Sequence, residues 1–189
     1  MRMPTAPPAG ATVPAFSSEV ATVPLPANEA PCSTRTSAAF RVDAAVSVAT
    51  LHWLPDHAAV FRNVAAALRP GGQFIAECGG YGNIVMFRTA LREVSGADGG
   101  EIWNFADVQE TTQHLQAAGF TDVAVRLVPH PARLERGEQL EAFIATVMLG
   151  VQLRDMSSQD RRPFVHEVAQ SLPEPVIDFV RLQISAMRA

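Results

Sequence analysis

After residue 40, the spacing of apolar positions alternates between a strand pattern and a helix pattern. The run Val42–Ala49 is apolar on both faces apart from Asp43, which is typical of a strand in a parallel sheet that helices cover on both sides. A buried helix segment is the alternative interpretation. The short length of the run and the break at Pro55 favour a strand.

A helix and a second strand follow this run. Asp56 is a good N-cap, and apolar residues then recur at helical spacing as far as Arg69. The helix should end there, because Pro70 disfavours helical dihedral angles in the residue before it. A Pro-Gly-Gly turn leads into a strand at 73–78. The pattern therefore predicts a strand–helix–strand unit with a right-handed crossover.

The rest of the chain continues the alternation of strands and helices. Asn83 should cap the start of the next helix, since asparagine is a common N-cap residue. That helix should end at Gly96, because glycine is common just beyond a helix C-terminus. The remaining predicted elements are a helix over 107–118, a strand over 123–128, helices over 138–149 and 159–172, and a strand over 180–186. Together these elements predict an α/β fold.

Residues 1–39 differ from the rest of the chain. They contain seven of the 14 prolines and much Ala, Thr and Ser, and they show no sustained hydrophobic period. Such a segment buries too little apolar surface to offset the entropy that ordering costs. We therefore expect a disordered or irregular Pro/Ala-rich tail at 1–39 and one ordered domain at 40–189.

Composition and charge narrow the class of protein. A length of 189 residues suits one domain, and a net charge of −4 without a basic cluster argues against a nucleic acid partner. No signal peptide and no apolar run of about 18 residues is evident, so we expect no membrane partner. The two cysteines lie far apart, which is typical of reduced thiols in a cytoplasmic protein. Neither they nor the five histidines show metal-ligand spacing, so we predict no metal site.

Several segments resemble a known family. Val42–Ser47, Leu51–His57 and Leu68–Phe74 are similar to the fourth strand, the helix after it and the fifth strand of class I S-adenosylmethionine-dependent methyltransferases. Leu115–Phe120 resembles a helix-to-strand junction that comes later in the same family. Within the family, the segments resemble the small-molecule branch that includes trans-aconitate methyltransferase. The resemblance covers residues 40–189.

The resemblance implies a doubly wound, Rossmann-like sheet with strand order 3-2-1-4-5-7-6 and a cofactor cleft between strands 1 and 4. Only strands 4-5-7-6 and their flanking helices have counterparts in this chain, so the first half of the sheet is expected to be missing. The implied cofactor is S-adenosylmethionine, and the implied partner is a small-molecule methyl acceptor. The implied cofactor contacts come from Val48, Ala49 and Thr50.

The resemblance also indicates which residues line the acceptor pocket. His52 and Trp53 follow the fourth strand, and Glu77 ends the fifth. The predicted substrate-binding residues are Trp53, Glu77, Tyr81 and Trp103. His52 is the candidate catalytic base, because histidine is the usual side chain that removes a proton from an acceptor. Core packing of the two tryptophans and a surface position for Glu77 are the simpler alternatives.

The chain departs from the family upstream of the fourth strand. Relatives hold the cofactor there with a glycine-rich loop after the first strand and with acids after the second and third strands. Gly10 is the only glycine in residues 1–39, and Glu19 and Glu29 lack a preceding strand pattern. Val48 also stands where relatives commonly carry Asn.

Three explanations of this departure stay open. The chain is a truncated or frame-shifted product with weak or no activity, or it is a non-catalytic pseudoenzyme or interaction module that pairs with another chain. Alternatively, residues 1–39 rebuild a strand and a cofactor loop. In the first two cases the strand at 42–49 has no neighbour on one side, and such an apolar edge favours self-association.

Overall fold

The computed structural model describes residues 41–100 and 102–189, so the predicted tail at 1–39 lies outside the described residues. Four strands form a mixed sheet in the spatial order β1-β2-β6-β3, and two short strands pair separately as β4-β5. The strands are β1 (Val42–Val48), β2 (Leu68–Gly79), β3 (Phe120–Pro129), β4 (Ala132–Arg133), β5 (Val176–Ile177) and β6 (Val180–Arg188).

The strands of the larger sheet run in mixed directions. β1 and β2 are parallel, and β6 runs antiparallel to both of its neighbours, β2 and β3. This is the order 4-5-7-6 that the resemblance implied, which confirms the predicted α/β fold class.

The helical elements are a 3-10 turn (Leu51–Trp53), α1 (His57–Ala67), α2 (Val85–Ser95), α3 (Val108–Ala117), α4 (Glu138–Phe143), a π-helical segment (Ile144–Met148), α5 (Gly150–Arg154) and α6 (Ser158–Ser171).

The apolar residues form two clusters. The first lies between one face of the sheet and the helices α1 and α3, where Phe61 and Leu115 are fully buried. Each such large side chain contributes about 1.5–3 kcal/mol by leaving water. The strand residues of this cluster alternate along β2 and β6, namely Phe74, Ala76, Cys78, Leu182, Ile184 and Ala186. The second cluster joins α2, α4, the π-helical segment and α6.

The opposite face of the sheet is open within the described residues. Val46 and Val48 are 70% and 67% exposed, and Ile75 beside them is 43% exposed. The sequence predicted helices on both sides of β1, and this expectation is wrong for the described part of the chain. The reason is topological, because α1 and α3 both pack on the face that carries Phe74 and Ile184.

The helix after β1 begins as predicted and ends earlier than predicted. The Asp56 carboxylate accepts a hydrogen bond of 2.8 Å from the Ala59 amide, as an N-cap should. The helix ends at Ala67 instead of Arg69, because Leu68 already has extended dihedral angles and pairs with Val42 in the sheet.

The cap of α2 differs from the sequence prediction. Asn83 is buried and does not cap the helix; its Oδ1 accepts a hydrogen bond of 2.8 Å from the Val180 amide. The N-cap position is Ile84, in a left-handed conformation with φ of 53°. Asp178 caps the first turn instead, since its Oδ2 accepts a 2.9 Å hydrogen bond from the Met86 amide.

The predicted helix over 138–149 is interrupted. A 2.9 Å hydrogen bond from the Leu149 amide to the Ile144 carbonyl spans five residues, which makes this turn a π-helix. The predicted helix over 159–172 forms as α6, and it accommodates Pro163 after an N-cap at Ser157. None of the helices in the described ranges is long and apolar enough to cross a membrane.

Candidate functional site

The end of β1 turns sharply toward β2. Ala49 has a left-handed φ of 53°, and its amide donates a 2.8 Å hydrogen bond to the Glu77 carbonyl. The Thr50 hydroxyl donates a hydrogen bond of 2.9 Å to the Val48 carbonyl. These two bonds direct the 3-10 turn across the carboxyl end of β2, and they place His52 next to Gly79.

His52 is held from two directions. Its Nδ1 accepts a 3.2 Å hydrogen bond from the Gly79 amide, and its carbonyl accepts a 2.8 Å bond from the Asn104 amide. The Asn104 side chain in turn donates to the carbonyls of Leu54 and Pro55. The 3-10 turn, the end of β2 and the loop before α3 are therefore joined by hydrogen bonds around one imidazole ring.

Aromatic rings surround His52. Its ring centroid lies 5.1 Å from Trp53 and 6.0 Å from Phe105, and Trp103 lies 6.3 Å from Trp53. Trp103 and Phe105 are stacked, with centroids 6.0 Å apart and an angle of 10° between their planes. We call His52, Trp53, Trp103 and Phe105 the aromatic cluster. It combines three of the predicted site residues with Phe105.

Gly79 permits the close packing of this cluster. A Cβ at Gly79 would lie 2.8 Å from Cε1 of Phe105 and 2.7 Å from Nδ2 of Asn83. These separations are shorter than carbon contacts allow, so a larger residue would push Phe105 away.

The imidazole of His52 is neutral at physiological pH. Burial, the positive charge of Arg181 and the nearby His57 together lower its pKa from 6.5 to about 4, and burial is the largest of these causes. Because Nδ1 accepts a hydrogen bond from the Gly79 amide, the neutral ring carries its own hydrogen on Nε2. His52 can therefore donate a hydrogen bond from Nε2.

Arg181 belongs to the same region, although the sequence did not predict it. It pairs across the sheet with Gly79, and its guanidinium lies 4.5 Å from the centre of the Phe179 ring. Its buried Nε has no hydrogen-bond partner among the described residues. In the sequence, Arg181 is simply a polar position in an alternating strand, which gave no signal of a role.

Two predicted site residues lie apart from the aromatic cluster. The Glu77 carboxylate accepts a 2.8 Å hydrogen bond from Gln183 on the open face of the sheet, and Gln183 accepts one from Arg126. Tyr81 is 69% exposed, and its ring makes no ring-to-ring contact with the cluster. The structure thus places Glu77 in a polar row and Tyr81 at the surface.

The predicted cofactor contacts lie at the edge of the sheet. Val48, Ala49 and Thr50 are all exposed at the carboxyl end of β1. Residues 48–55 contain no carboxylate, so they offer no acid for a ribose diol or an ammonium group.

Neither metal nor thiol chemistry is indicated within residues 41–100 and 102–189. No three His, Cys, Asp or Glu side chains in these ranges lie together in a way that could hold a metal ion. Burial raises the pKa of the Cys78 thiol to about 11, which keeps the thiol protonated and unreactive.

Replacement of His52 by Asn should flatten the pH dependence of stability. The unfolded chain binds a proton at pH 6.5 and the folded chain only near pH 4, so stability rises with pH between these values. Melting temperatures measured from pH 4 to 7 should show a smaller rise in H52N. The exposed His130 provides the control variant H130N, which should keep the slope of the unsubstituted protein. Equal slopes in H52N and the unsubstituted protein would contradict this assignment.

Comparison with known proteins supports a methyltransferase relationship. The family described as "Methyltransferase domain" matches residues 22–76. An uncharacterized methyltransferase of Schizosaccharomyces pombe is 29% identical over 115 residues. That match spans 53% of this chain and 44% of the relative, so the chain covers less than half of the relative's length.

Among solved structures, the YcgJ protein from Bacillus subtilis superposes with a TM-score of 0.51 at 12% identity, covering 82% of this chain and 67% of that one. The match to a putative methyltransferase from Bacillus halodurans covers 82% of this chain and 68% of that chain, at 12% identity and a TM-score of 0.49. The matched domain and the yeast relative make this chain similar to methyltransferases, and YcgJ shares its fold.

Proposed function

We propose that the described part of this chain forms the acceptor side of a site that transfers a methyl group from S-adenosylmethionine to a small molecule. The position of the aromatic cluster carries this proposal. It lies beyond the carboxyl ends of the parallel strands β1 and β2, which is where open α/β sheets bind their ligands.

The chemistry of the cluster suits methyl transfer. The reaction is an in-line displacement on a sulfonium, and much of its acceleration can come from orientation of the acceptor. Aromatic faces such as those of Trp53 and Trp103 attract positively charged groups and pack against planar ones. The cluster therefore offers a wall against which an acceptor is held.

We propose a positioning role for His52 in place of the predicted base. A general base works best when its pKa lies near the working pH, and the pKa of His52 is about 4. Its Nδ1 is already occupied by the Gly79 amide. The hydrogen on Nε2 is available to an acceptor oxygen.

Arg181 supports a carboxylic or hydroxylated acceptor, the class that the resemblance to the trans-aconitate branch implies. Its guanidinium lies near His52, since it lowers the pKa of that ring, and its Nε has no partner among the described residues. A guanidinium binds a carboxylate through two parallel hydrogen bonds. Glu77 and Tyr81 stay proposed contacts for the distal part of an acceptor, since both lie in or just after β2.

We further propose that Val48, Ala49 and Thr50 form one wall of the cofactor site, and that this chain alone is weak or inactive. The absence of a carboxylate in residues 48–55 supports this proposal, as does the single glycine upstream of residue 40. In the family, the charged contacts to the cofactor come from a glycine-rich loop and from acids, and residues 1–39 show no such glycine-rich motif.

Acceptor binding can be followed through the intrinsic fluorescence of the protein, since both tryptophans of the chain lie in the aromatic cluster. Titration with small mono-, di- and tricarboxylates should give a saturable change in emission. R181Q should weaken the tightest of these ligands by about tenfold or more, because a charged hydrogen bond is lost. The exposed Arg62 provides the control R62Q, which should leave affinity unchanged. No response to any carboxylate, or equal losses in R181Q and R62Q, would contradict the proposed acceptor site.

A second candidate function is a non-catalytic module that pairs with another chain, and the edge strand β1 favours it. No strand in the described ranges pairs with the outer edge of β1. The strand carries neither Lys nor Pro, the residues that commonly protect such an edge. Its single charge, Asp43, is already paired with Arg69 at 2.6 Å. We propose that two copies of this chain associate through β1.

Self-association should depend on the open side of β1. In sedimentation velocity, the unsubstituted chain should form a dimer, and V46K should shift it toward the monomer because a charge would be placed on the associating strand. Val147 is also exposed but lies in the π-helical segment, so V147K is the matched control and should remain dimeric. A monomeric unsubstituted chain, or a dimer that V46K does not weaken, would contradict pairing through β1.

A further inference from the structure

A wide groove lies on the surface of the helical cluster that α4, the π-helical segment, α5 and α6 form. Its volume is about 950 Å³, and we call it the helical groove. All residues of its wall lie within 138–166, a range that the structure describes throughout, and none belongs to the aromatic cluster. Small and apolar side chains form its floor, namely Ala142, Ala145, Leu153, Pro163 and Val165.

The two helices that carry the charged walls of the groove run in opposite directions. Arg136, just before α4, donates hydrogen bonds of 3.3 Å and 3.1 Å to the carbonyls of Ala169 and Leu172, where α6 ends. The start of α4 therefore lies beside the end of α6. Further along, His166 Nδ1 and Glu141 Oε1 lie 2.7 Å apart and join the two walls.

This arrangement places an acid and a base at opposite ends of the groove. Relative to the contact between Glu141 and His166, Glu138 lies one turn toward the start of α4, and Arg162 lies one turn toward the start of α6. Because the helices are antiparallel, these two steps point in opposite directions. At a rise of about 1.5 Å per residue, the steps separate Glu138 from Arg162 by about 10 Å along the groove.

Glu138 and Arg162 are both available to a ligand. They line the groove and are exposed, and neither forms an ion pair with another described residue. The neighbouring charged groups are occupied, since Glu141 is paired with His166. Arg161 donates hydrogen bonds of 3.0 Å and 3.3 Å to backbone carbonyls at the end of α5 and just beyond it. The groove therefore offers one negative and one positive charge with an apolar floor between them.

One wall of the groove is also irregular. Ala145 lies in the π-helical segment, and such turns are rare and often occur at functional sites. The Thr146 hydroxyl donates a 2.7 Å hydrogen bond to the Ala142 carbonyl, so that this backbone acceptor is satisfied within the helix. The departure from a regular helix is thus a second indication of a ligand site, independent of the charges.

We propose that the helical groove binds a linear zwitterion, a flexible molecule with an ammonium group at one end and a carboxylate at the other. The ammonium pairs with Glu138 and the carboxylate with Arg162. The chain between the two charged ends covers the apolar floor and removes it from water. This site is separate from the proposed methyl-transfer site and does not depend on it.

ω-Aminooctanoate is the direct probe, because its extended chain matches the separation of Glu138 and Arg162. γ-Aminobutyrate is too short to reach both residues, and octanoate and octylamine each lack one of the two charges. In ¹H–¹⁵N spectra of the full chain, ω-aminooctanoate should shift the backbone amide signals of Ala142 and Ala145. The three analogues should bind about threefold to fivefold more weakly, which is the usual effect of losing one exposed ion pair.

Two variants assign the ends of the ligand. E138Q should lower the affinity for ω-aminooctanoate to that of octanoate and leave octanoate binding unchanged. R162Q should lower it to that of octylamine and leave octylamine binding unchanged. Glu167 is exposed on α6 but does not line the groove, so E167Q is the matched control for a lost carboxylate. R62Q on α1 is the control for a lost guanidinium.

The proposal is overturned if ω-aminooctanoate leaves both alanine signals unmoved at about 10 mM, roughly the limit of millimolar affinity. It is also overturned if γ-aminobutyrate or octanoate binds as well as ω-aminooctanoate, or if E138Q and E167Q have the same effect. Because the readout comes from α4 and the π-helical segment and not from the tryptophans, its failure is distinct from a failure of the proposed acceptor site.

Discussion

The antiparallel pairing of β6 with both β2 and β3 is the constraint on which the rest of the structure depends. β6 pairs with β2 on one side and with β3 on the other, so it joins two parts of the chain that are far apart in sequence. Its residues Leu182 and Ile184 are buried in the apolar cluster between the sheet and the helices α1 and α3. The residues just before β6 and at its start also contact neighbouring elements. Asp178, just before β6, caps α2, and Arg181 at its start is the cross-strand partner of Gly79. The proposed site thus depends on a strand that comes last in the chain.

The two faces of the sheet have different consequences. One face is covered by α1 and α3, and its apolar residues are buried against these two helices. The other is open within the described residues and carries a polar row in which Glu77 accepts a hydrogen bond from Gln183. An open apolar face beside an unpaired edge costs solubility, because both invite other chains. Within the described residues, the open face and the outer edge of β1 therefore both support the proposed association.

Local signals in the sequence were sufficient for much of the fold. Asp56 caps its helix through its own side chain, and Gly96 adopts a positive φ where α2 ends. Each of these depends on a few neighbouring residues, which is why the pattern revealed them. The 4-5-7-6 order required the resemblance as well, since periodicity alone does not order strands.

The sequence could not predict the contacts between residues that are far apart along the chain. Asn83 has the side chain of a helix cap, but its partner is the Val180 amide, 97 residues away. The aromatic cluster was partly predicted, because His52 and Trp53 are adjacent and Trp103 is a conspicuous residue. Its depressed histidine pKa could not be predicted, since it arises from burial and from Arg181, 129 positions further along.

The proposed site has acceptor contacts in the aromatic cluster, whereas residues 48–55 supply no charged contact to the proposed cofactor. Calorimetric titration of the whole folded chain with S-adenosylhomocysteine tests this difference directly. The account predicts no micromolar binding by a chain that melts cooperatively. One-to-one binding with micromolar affinity would show that the charged contacts exist, and it would contradict the account.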